Sequence, residues 1–379
     1  MTRSRVAVVG VGHLGQHHAR ILSEIPEVEL VAVADSRIEQ ARSVAEKTGT
    51  RAVADYRELL NEVDAVSIAV PTFMHREVAG DFLARGIATL VEKPLASNSA
   101  EAEELVALAQ VRRTLLQVGH VERFNPALSA LDGLPMRPKY ITAERLSTYT
   151  FRSTDIGVVL DLMIHDIDLV LAMNPGPVRS VVAVGVSVFG GHEDVANARI
   201  EFEDGCVANL TASRASFQAM RKMRLWSAEG YAMLDFMTKQ GTLVRPSEQL
   251  RRGQLDLTGV DLTNPAEVKE HLFGTVLRVD QVQSEIQDQL KLELEDFVQA
   301  IRSGTPPKVS GQQGLRAMRL ASEILRAIQT HQWEGDSDGP TGPRHLPQPL
   351  AAPNSLLKGP FSWRSRTGRP ASSNTPQSQ

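Results

Sequence analysis

The chain of 379 residues contains a single cysteine, Cys206. An internal disulfide is thereby excluded, and thiolate metal clusters lack their ligands. Aromatic side chains make up 5% of the sequence and the formal net charge is -4, which supports neither base stacking nor a basic nucleic-acid footprint. No apolar run approaches the roughly 20 residues of a membrane span. Met1-Thr2-Arg3-Ser4-Arg5 leads straight into a strand-like run without the apolar core of a secretory signal, so a cytoplasmic protein is expected. What remains is an ordinary globular composition, long enough for two domains with a sizeable core each.

Arg5-Val6-Ala7-Val8-Val9 is apolar on both faces, as a buried parallel strand requires. It runs into Gly10-Val11-Gly12-His13-Leu14-Gly15, a helical segment stopped by Pro26, and a second strand, Val28–Ala34, that ends at Asp35. A GxGxxG turn is weak evidence alone; between strand and helix, with an acid about 20 residues beyond its last glycine, it indicates a dinucleotide site. Gly10 permits the tight turn, Gly12 the approach of backbone to the pyrophosphate, and Gly15 close packing of helix on strand. The diphosphate then lies at a helix N-terminus, bordered by His13 and Leu14, where free N–H groups and the helix dipole favour an anion. Asp35 suits the adenosine ribose hydroxyls and repels a 2′-phosphate, so NAD is the expected cofactor, with Arg37 nearby as the residue able to soften that preference.

The βα alternation continues to residue 120. Its strands deliver Pro71-Thr72 and Glu92-Lys93-Pro94 to the carboxyl edge of the sheet, where open α/β sheets bind ligands. These residues join the expected cofactor contacts. From Lys139 the pattern changes to strands clustered around a helix, with a hairpin signal at Asp204-Gly205. A long helix is expected from about Val279 to Arg302, and another from Ser310 to about His331, with a loop and short helix over 245–275. We therefore expect an α/β Rossmann-like domain at 1–120 and an α+β substrate and oligomerisation domain with an open, largely antiparallel sheet at 121–334. Residues 335–379 read as a disordered tail.

One helix stands apart, Val158–Leu171, mostly apolar yet carrying Asp161, His165 and Asp168 at i, i+4 and i+7, on one face. Buried unpaired charge is costly, so this stripe faces a partner, a cavity or a ligand. A metal is disfavoured because no second histidine stands at i+4. Asp166 and Asp168 suit neighbouring backbone or an arginine. Arg123 and Asn125, past a strand end at the domain junction, are expected to touch cofactor or substrate. Arg145, Arg152 and Arg214 are candidates for bidentate contact with a diphosphate, or else salt-bridge partners.

Gly10–Gly15, Glu92-Lys93-Pro94, Gly119–Pro126 and the pair Asp161/His165 together resemble the Gfo/Idh/MocA oxidoreductase family, in order from residue 5 to about 330. Within it, Val118–Pro126, Gly157–Asp168 and Val195–Arg214 are most similar to the branch acting at C3 of UDP-N-acetylglucosamine in lipid A diamino-sugar synthesis. The resemblance implies an NAD-dependent dehydrogenase of a nucleotide-sugar secondary alcohol, with Lys93, Asp161 and His165 as its catalytic trio and a cis Lys93–Pro94 bond. It further implies a homo-oligomer paired through the open sheet and a pathway link to an aminotransferase. Another sugar or inositol dehydrogenase of the family, or a silent NAD-binding regulator, is the alternative. Lys93 would supply positive charge to the incipient alkoxide, and His165, with an ordinary pKa near 6.5, is the better base, although which of Lys93 and His165 takes the proton varies within the family.

Overall fold

The computed structural model describes residues 2–133, 136–150, 156–189, 191–283, 287–334 and 339–345. Six parallel strands, β1 (Ser4–Val9), β2 (Val28–Ala34), β3 (Arg51–Val53), β4 (Ala65–Ile68), β5 (Ala88–Glu92) and β6 (Leu116–Gly119), form the first sheet in the order β3-β2-β1-β4-β5-β6. The order reverses between β1 and β4, and there the strand ends diverge and open a crevice. Helices α1 (Gly15–Glu24), α2 (Ile38–Thr48), α3 (His75–Leu83) and α4 (Ser99–Arg112) supply the crossovers. Val6, Ala7, Val8 and Val9 are all fully buried, as a strand covered on both faces demands.

The second sheet has nine strands, β7 (Tyr140–Leu146), β8 (Val178–Ser187), β9 (Val195–Phe202), β10 (Val207–Ser213), β11 (Met220–Ser227), β12 (Gly230–Asp235), β13 (Gln240–Pro246), β14 (Leu277–Gln283) and β15 (Arg344–His345). It is antiparallel except where β7 pairs with β10 and β8 with β15. One face alternates into the core while the other faces outward, and the turn at Asp204-Gly205 is made by Gly205 at φ 81°. The helices of this half are α5 (Ile164–Met173), the short α6 (Glu248–Arg251) and α7 (Pro265–His271), α8 (Gln289–Ser303) and α9 (Gly311–Thr330), the last opened by a Ser310/Gln313 capping box. No helix among the described residues is long and apolar enough to cross a membrane.

Three expectations need correction. The helix expected from Val279 begins only at Gln289, because Leu277–Gln283 is a strand whose Val279 and Val282 stand opposite Val244 and Gly241 of β13. Next, α8 packs Leu294, Phe297 and Val298 against Ile21 and Leu22 of α1 and Ile25 just after it, so a helix from the second segment completes the core of the first. Finally, Arg344-His345, in the stretch read as tail, extends the large sheet; residues 346–379 lie outside the described residues. One continuous apolar cluster runs from the first sheet through α5 into the second sheet.

Candidate active site

At the end of β1 the chain turns at Gly10, whose φ is +83° and whose added Cβ would meet the Ala69 carbonyl oxygen at 2.7 Å. Gly15 touches the Gly10 carbonyl in the same way. Gly12 differs: a Cβ there would meet no protein atom within 4 Å, so protein packing does not demand glycine. The open space leaves room for a ligand to lie against the backbone here. No side chain caps α1, which leaves its N-terminus open to an anion, and His13 and Leu14 are exposed on the turn. Gly10, Gly12, Asp35, Ser36, Arg37, Val70 and Pro71 are among the residues lining a cleft of about 200 Å³. The residues present thus fit a dinucleotide.

Asp35 is buried at the cleft and accepts hydrogen bonds from Val11 N (3.1 Å) and Arg37 N (2.9 Å). It therefore braces the glycine turn as well as lining it. The Arg37 guanidinium lies 3.7 Å from the same carboxylate, which sets it beside the position a 2′-phosphate would take. Thr72, expected at the cofactor, lines a neighbouring cavity of about 480 Å³ with Gly157, Leu160 and Glu193. Glu92, expected at the cofactor too, lies at the end of β5. Its buried carboxylate faces His18 Nε2 at 3.0 Å and accepts from Lys93 N at 3.2 Å, so it fixes the strand end from inside instead of reaching the cleft.

The cis Lys93–Pro94 bond follows directly. Buried His75 ties this turn to the cofactor cleft, with Nδ1 at 2.8 Å from the Pro94 carbonyl and Nε2 at 2.9 Å from that of Val70. Nothing in the local sequence marks this bracket, because a histidine opening a helix carries no signal of its partners. Lys93 Nζ then donates to the main-chain carbonyl of Asp161 (2.6 Å) and to its carboxylate (3.2 Å). Asp161 sits in a π turn, Val159–Met163, where Ile164 N–H reaches back to the Val159 carbonyl; α5 begins after it. Such wide turns recur at functional sites. The helix expected as continuous is thus interrupted at its first polar residue, and Asp161 is turned to Lys93.

His165, on the first turn of α5, is partly exposed, while its Nδ1 is buried without a hydrogen-bond partner among the described residues. Burial first, then the charges of Lys93 and Arg145, hold its pKa well below the ordinary 6.5. The ring is neutral at working pH and free to accept a proton. This corrects the expectation of an unperturbed histidine.

Behind it lies a buried ionic lattice. Arg145 donates to both oxygens of Asp166 (3.0 and 2.8 Å) and to Glu122 (2.8 Å), and its charge is locked in by those two carboxylates against the cost of burial. Asn125, expected at the substrate, belongs to this lattice: it donates to Glu122 and to the Phe236 carbonyl and accepts from Ala127 N. Arg123 pairs with Asp168 at 3.4 Å, and Arg214 with buried Asp194 at 2.7 Å. Arg145 and Arg214 are therefore salt-bridge partners and not diphosphate ligands. Arg152 lies outside the described residues. Sequence reasoning also missed Glu193, which accepts from Val159 N (3.1 Å) and fixes the N-terminus of the helix; a Cβ on Gly157 would strike its carboxylate at 2.1 Å.

Comparison with known proteins gives a consistent picture. The NAD-binding Rossmann model of the Gfo/Idh/MocA oxidoreductase family matches residues 4–120, and a C-terminal domain model of the same family matches 136–232. The chain is 35% identical over 335 residues to UDP-N-acetylglucosamine 3-dehydrogenase of Acidithiobacillus ferrooxidans, a match that spans 87% of this chain and 98% of that protein. A solved structure of that dehydrogenase from the same organism is similar at a TM-score of 0.76 and 34% identity, over 86% of this chain and 98% of the other. Levoglucosan dehydrogenase in complex with NADH and levoglucosan shares the fold at a TM-score of 0.73 and 17% identity, over 86% and 97% of the two chains.

Proposed function

We propose, since this chain belongs to the Gfo/Idh/MocA oxidoreductase family, that it oxidises the 3-hydroxyl of UDP-N-acetylglucosamine to the 3-keto sugar. NAD, bound at the glycine turn, would accept the hydride. One observation carries the chemistry: a lysine ammonium anchored on Asp161 beside a neutral histidine, joined to the nucleotide cleft through Pro94, His75 and Val70. The substrate rests on the similarity to the 3-dehydrogenase, which runs nearly end to end.

In this reading His165 takes the hydroxyl proton as general base, and Lys93 stabilises charge on the oxygen as the C–H bond breaks. Asp161 holds Lys93 in place from both its carbonyl and its carboxylate. Arg123 stays a candidate for the sugar nucleotide at the edge of the site. The product ketone suits transamination, which supports an aminotransferase as the next step toward a cell-envelope diamino sugar, made in the cytoplasm. Outward-facing Tyr140, Trp226 and Tyr231 stack with centroids 5.1 Å apart on the large sheet, and that face would pair subunits into a homo-oligomer.

The test is to incubate the protein with NAD and a panel of UDP-sugars, with an aminotransferase and amino donor to draw off the ketone, and to follow NADH by absorbance and the aminated product by mass spectrometry. Turnover with UDP-N-acetylglucosamine is expected. Turnover of inositol or a free hexose with none on any UDP-sugar reassigns the substrate. Asp35→Ala should lower the NAD over NADP preference in kcat/KM by about 10–100-fold, the worth of hydrogen bonds to a charged group. An unchanged ratio would remove Asp35 from cofactor selection.

A further inference from the structure

Helix α8 carries Glu293 on its core-facing side, between Leu290 and Leu294, and the residue is fully buried. Neither carboxyl oxygen has a hydrogen-bond partner among the described residues. An ionised carboxylate does not persist in that state. The surroundings add to the cost. The carboxylates of Glu92, Asp296 and Asp168 all act on it, and burial with these charges raises the Glu293 pKa well above the ordinary range. Glu293 is therefore a protonated acid in the folded protein.

It does not stand alone. Other buried polar atoms in the same electrostatic neighbourhood also lack partners among the described residues: Nδ1 of His165, Nδ1 of His120, Oδ2 of Asp168 and Oε1 of Gln117. The His120 and His165 rings meet edge to face with centroids 6.4 Å apart. The His120 ring is acted on by Asp168, Lys93, Arg123 and Glu92. Arg123 occupies Oδ1 of Asp168 and leaves Oδ2 free. Gln117 bonds the Glu293 main chain at 3.1 Å. On the far side Asp296, three residues along the same helix face, is partly exposed. Buried polar atoms left without protein partners are where interior water is held, and a chain of such groups is what a proton path requires.

We propose that His120, Asp168 and Glu293 form a relay that carries the substrate proton from His165 to solvent at Asp296. This rests on the reading of His165 as base. One proton moves at each step. As the substrate O–H bond breaks and its proton bonds to the outer nitrogen of His165, the inner nitrogen gives up its own proton toward His120. His120 passes one on to Asp168, Glu293 accepts at one oxygen and releases from the other, and Asp296 delivers the proton to water. Charge ends as it began, with neutral rings and a protonated Glu293, while each histidine has exchanged tautomer and the Glu293 proton has changed oxygen.

Two measurements on the full chain test it. Infrared difference spectra of wild type against Glu293→Gln, without substrate, should show a protonated carboxyl C=O stretch that the variant lacks. No such band means Glu293 is ionised, and the relay fails. In stopped flow with UDP-N-acetylglucosamine, NAD and a pH indicator, wild type should release its proton together with NADH. In Glu293→Gln and His120→Gln, release should lag NADH formation by ~10-fold or more. Release that still coincides with NADH overturns the proposal. Asp296→Asn, at the partly exposed end, carries the same test should the buried variants fail to fold. Full turnover by His165→Asn would instead overturn the base assignment.

Discussion

Lys93→Ala is expected to lower kcat by about 10²–10³-fold while the dissociation constant for NAD is nearly unchanged. The ammonium is held 2.6 Å from the Asp161 carbonyl and 3.2 Å from its carboxylate, so it is oriented before substrate arrives and costs no reorganisation during reaction. Its stabilisation grows as charge develops on the substrate oxygen, and a loss in kcat distinguishes that role from plain binding. A raised KM with intact kcat would make Lys93 a substrate anchor and nothing more. A second readout comes from His165. Burial is the main force depressing its pKa and the Lys93 charge the next. Removing the lysine charge lets the histidine pKa rise, so the acid limb of the kcat/KM profile should move to higher pH in the variant. A limb that stays in place would separate the two residues electrostatically.

Much of this site was legible in the sequence, and the reasons are local. The glycine turn, the acid at Asp35 and the strand ends at Pro71 and Glu92-Lys93-Pro94 follow from strand–turn–helix grammar, which needs few long-range contacts to specify it. The polar stripe of Asp161, His165 and Asp168 was visible because charge is rare in an apolar helix. What the stripe touches was not visible. The π turn adds one residue to a single turn, too small a change to show in periodicity, and it is anchored by Glu193, 34 residues along the chain from Val159. Arg145 and Arg214 read equally well as phosphate ligands or ion-pair partners until their carboxylates were placed in space. The β13–β14 pair escaped for a related reason. Its strands stabilise each other across about 40 residues, and Gly241 lies there because a Cβ would strike Ala130 Cβ at 2.3 Å, a contact absent from any local window. Glu293 looked like one more acid on a charged helix, since α8 was not expected to complete the core of the first domain.

Arg145→Met should cost about 3–5 kcal/mol of folding stability, among the largest effects available to a single substitution outside the apolar core. The guanidinium, 2% exposed, is shared between Asp166 and Glu122, which are 3% exposed. Its loss leaves two buried carboxylates facing one another with Arg221, 3.8 Å from Glu122, as the nearest remaining cation to that side. Asp166 loses most. Burial already raises its pKa, and Arg145 is the largest force opposing that rise. Without Arg145 the folded-state pKa climbs further above the unfolded value. The native state then binds a proton that the unfolded state has released, so stability is retained at low pH and lost as pH rises through the window between those two values. Urea midpoints for wild type and variant should accordingly lie closest at mildly acidic pH and diverge toward alkaline pH. An equal gap across the range would mean that the cost is lost packing and not stranded charge. Adding Asp166→Asn to Arg145→Met removes one stranded carboxylate and should recover part of the loss, which a packing origin would not allow. Asp166 follows His165 directly on α5, so disturbing the lattice should also disturb the His165 ring in its proposed role as base. Activity in Arg145→Met should therefore fall at temperatures where the protein is still folded.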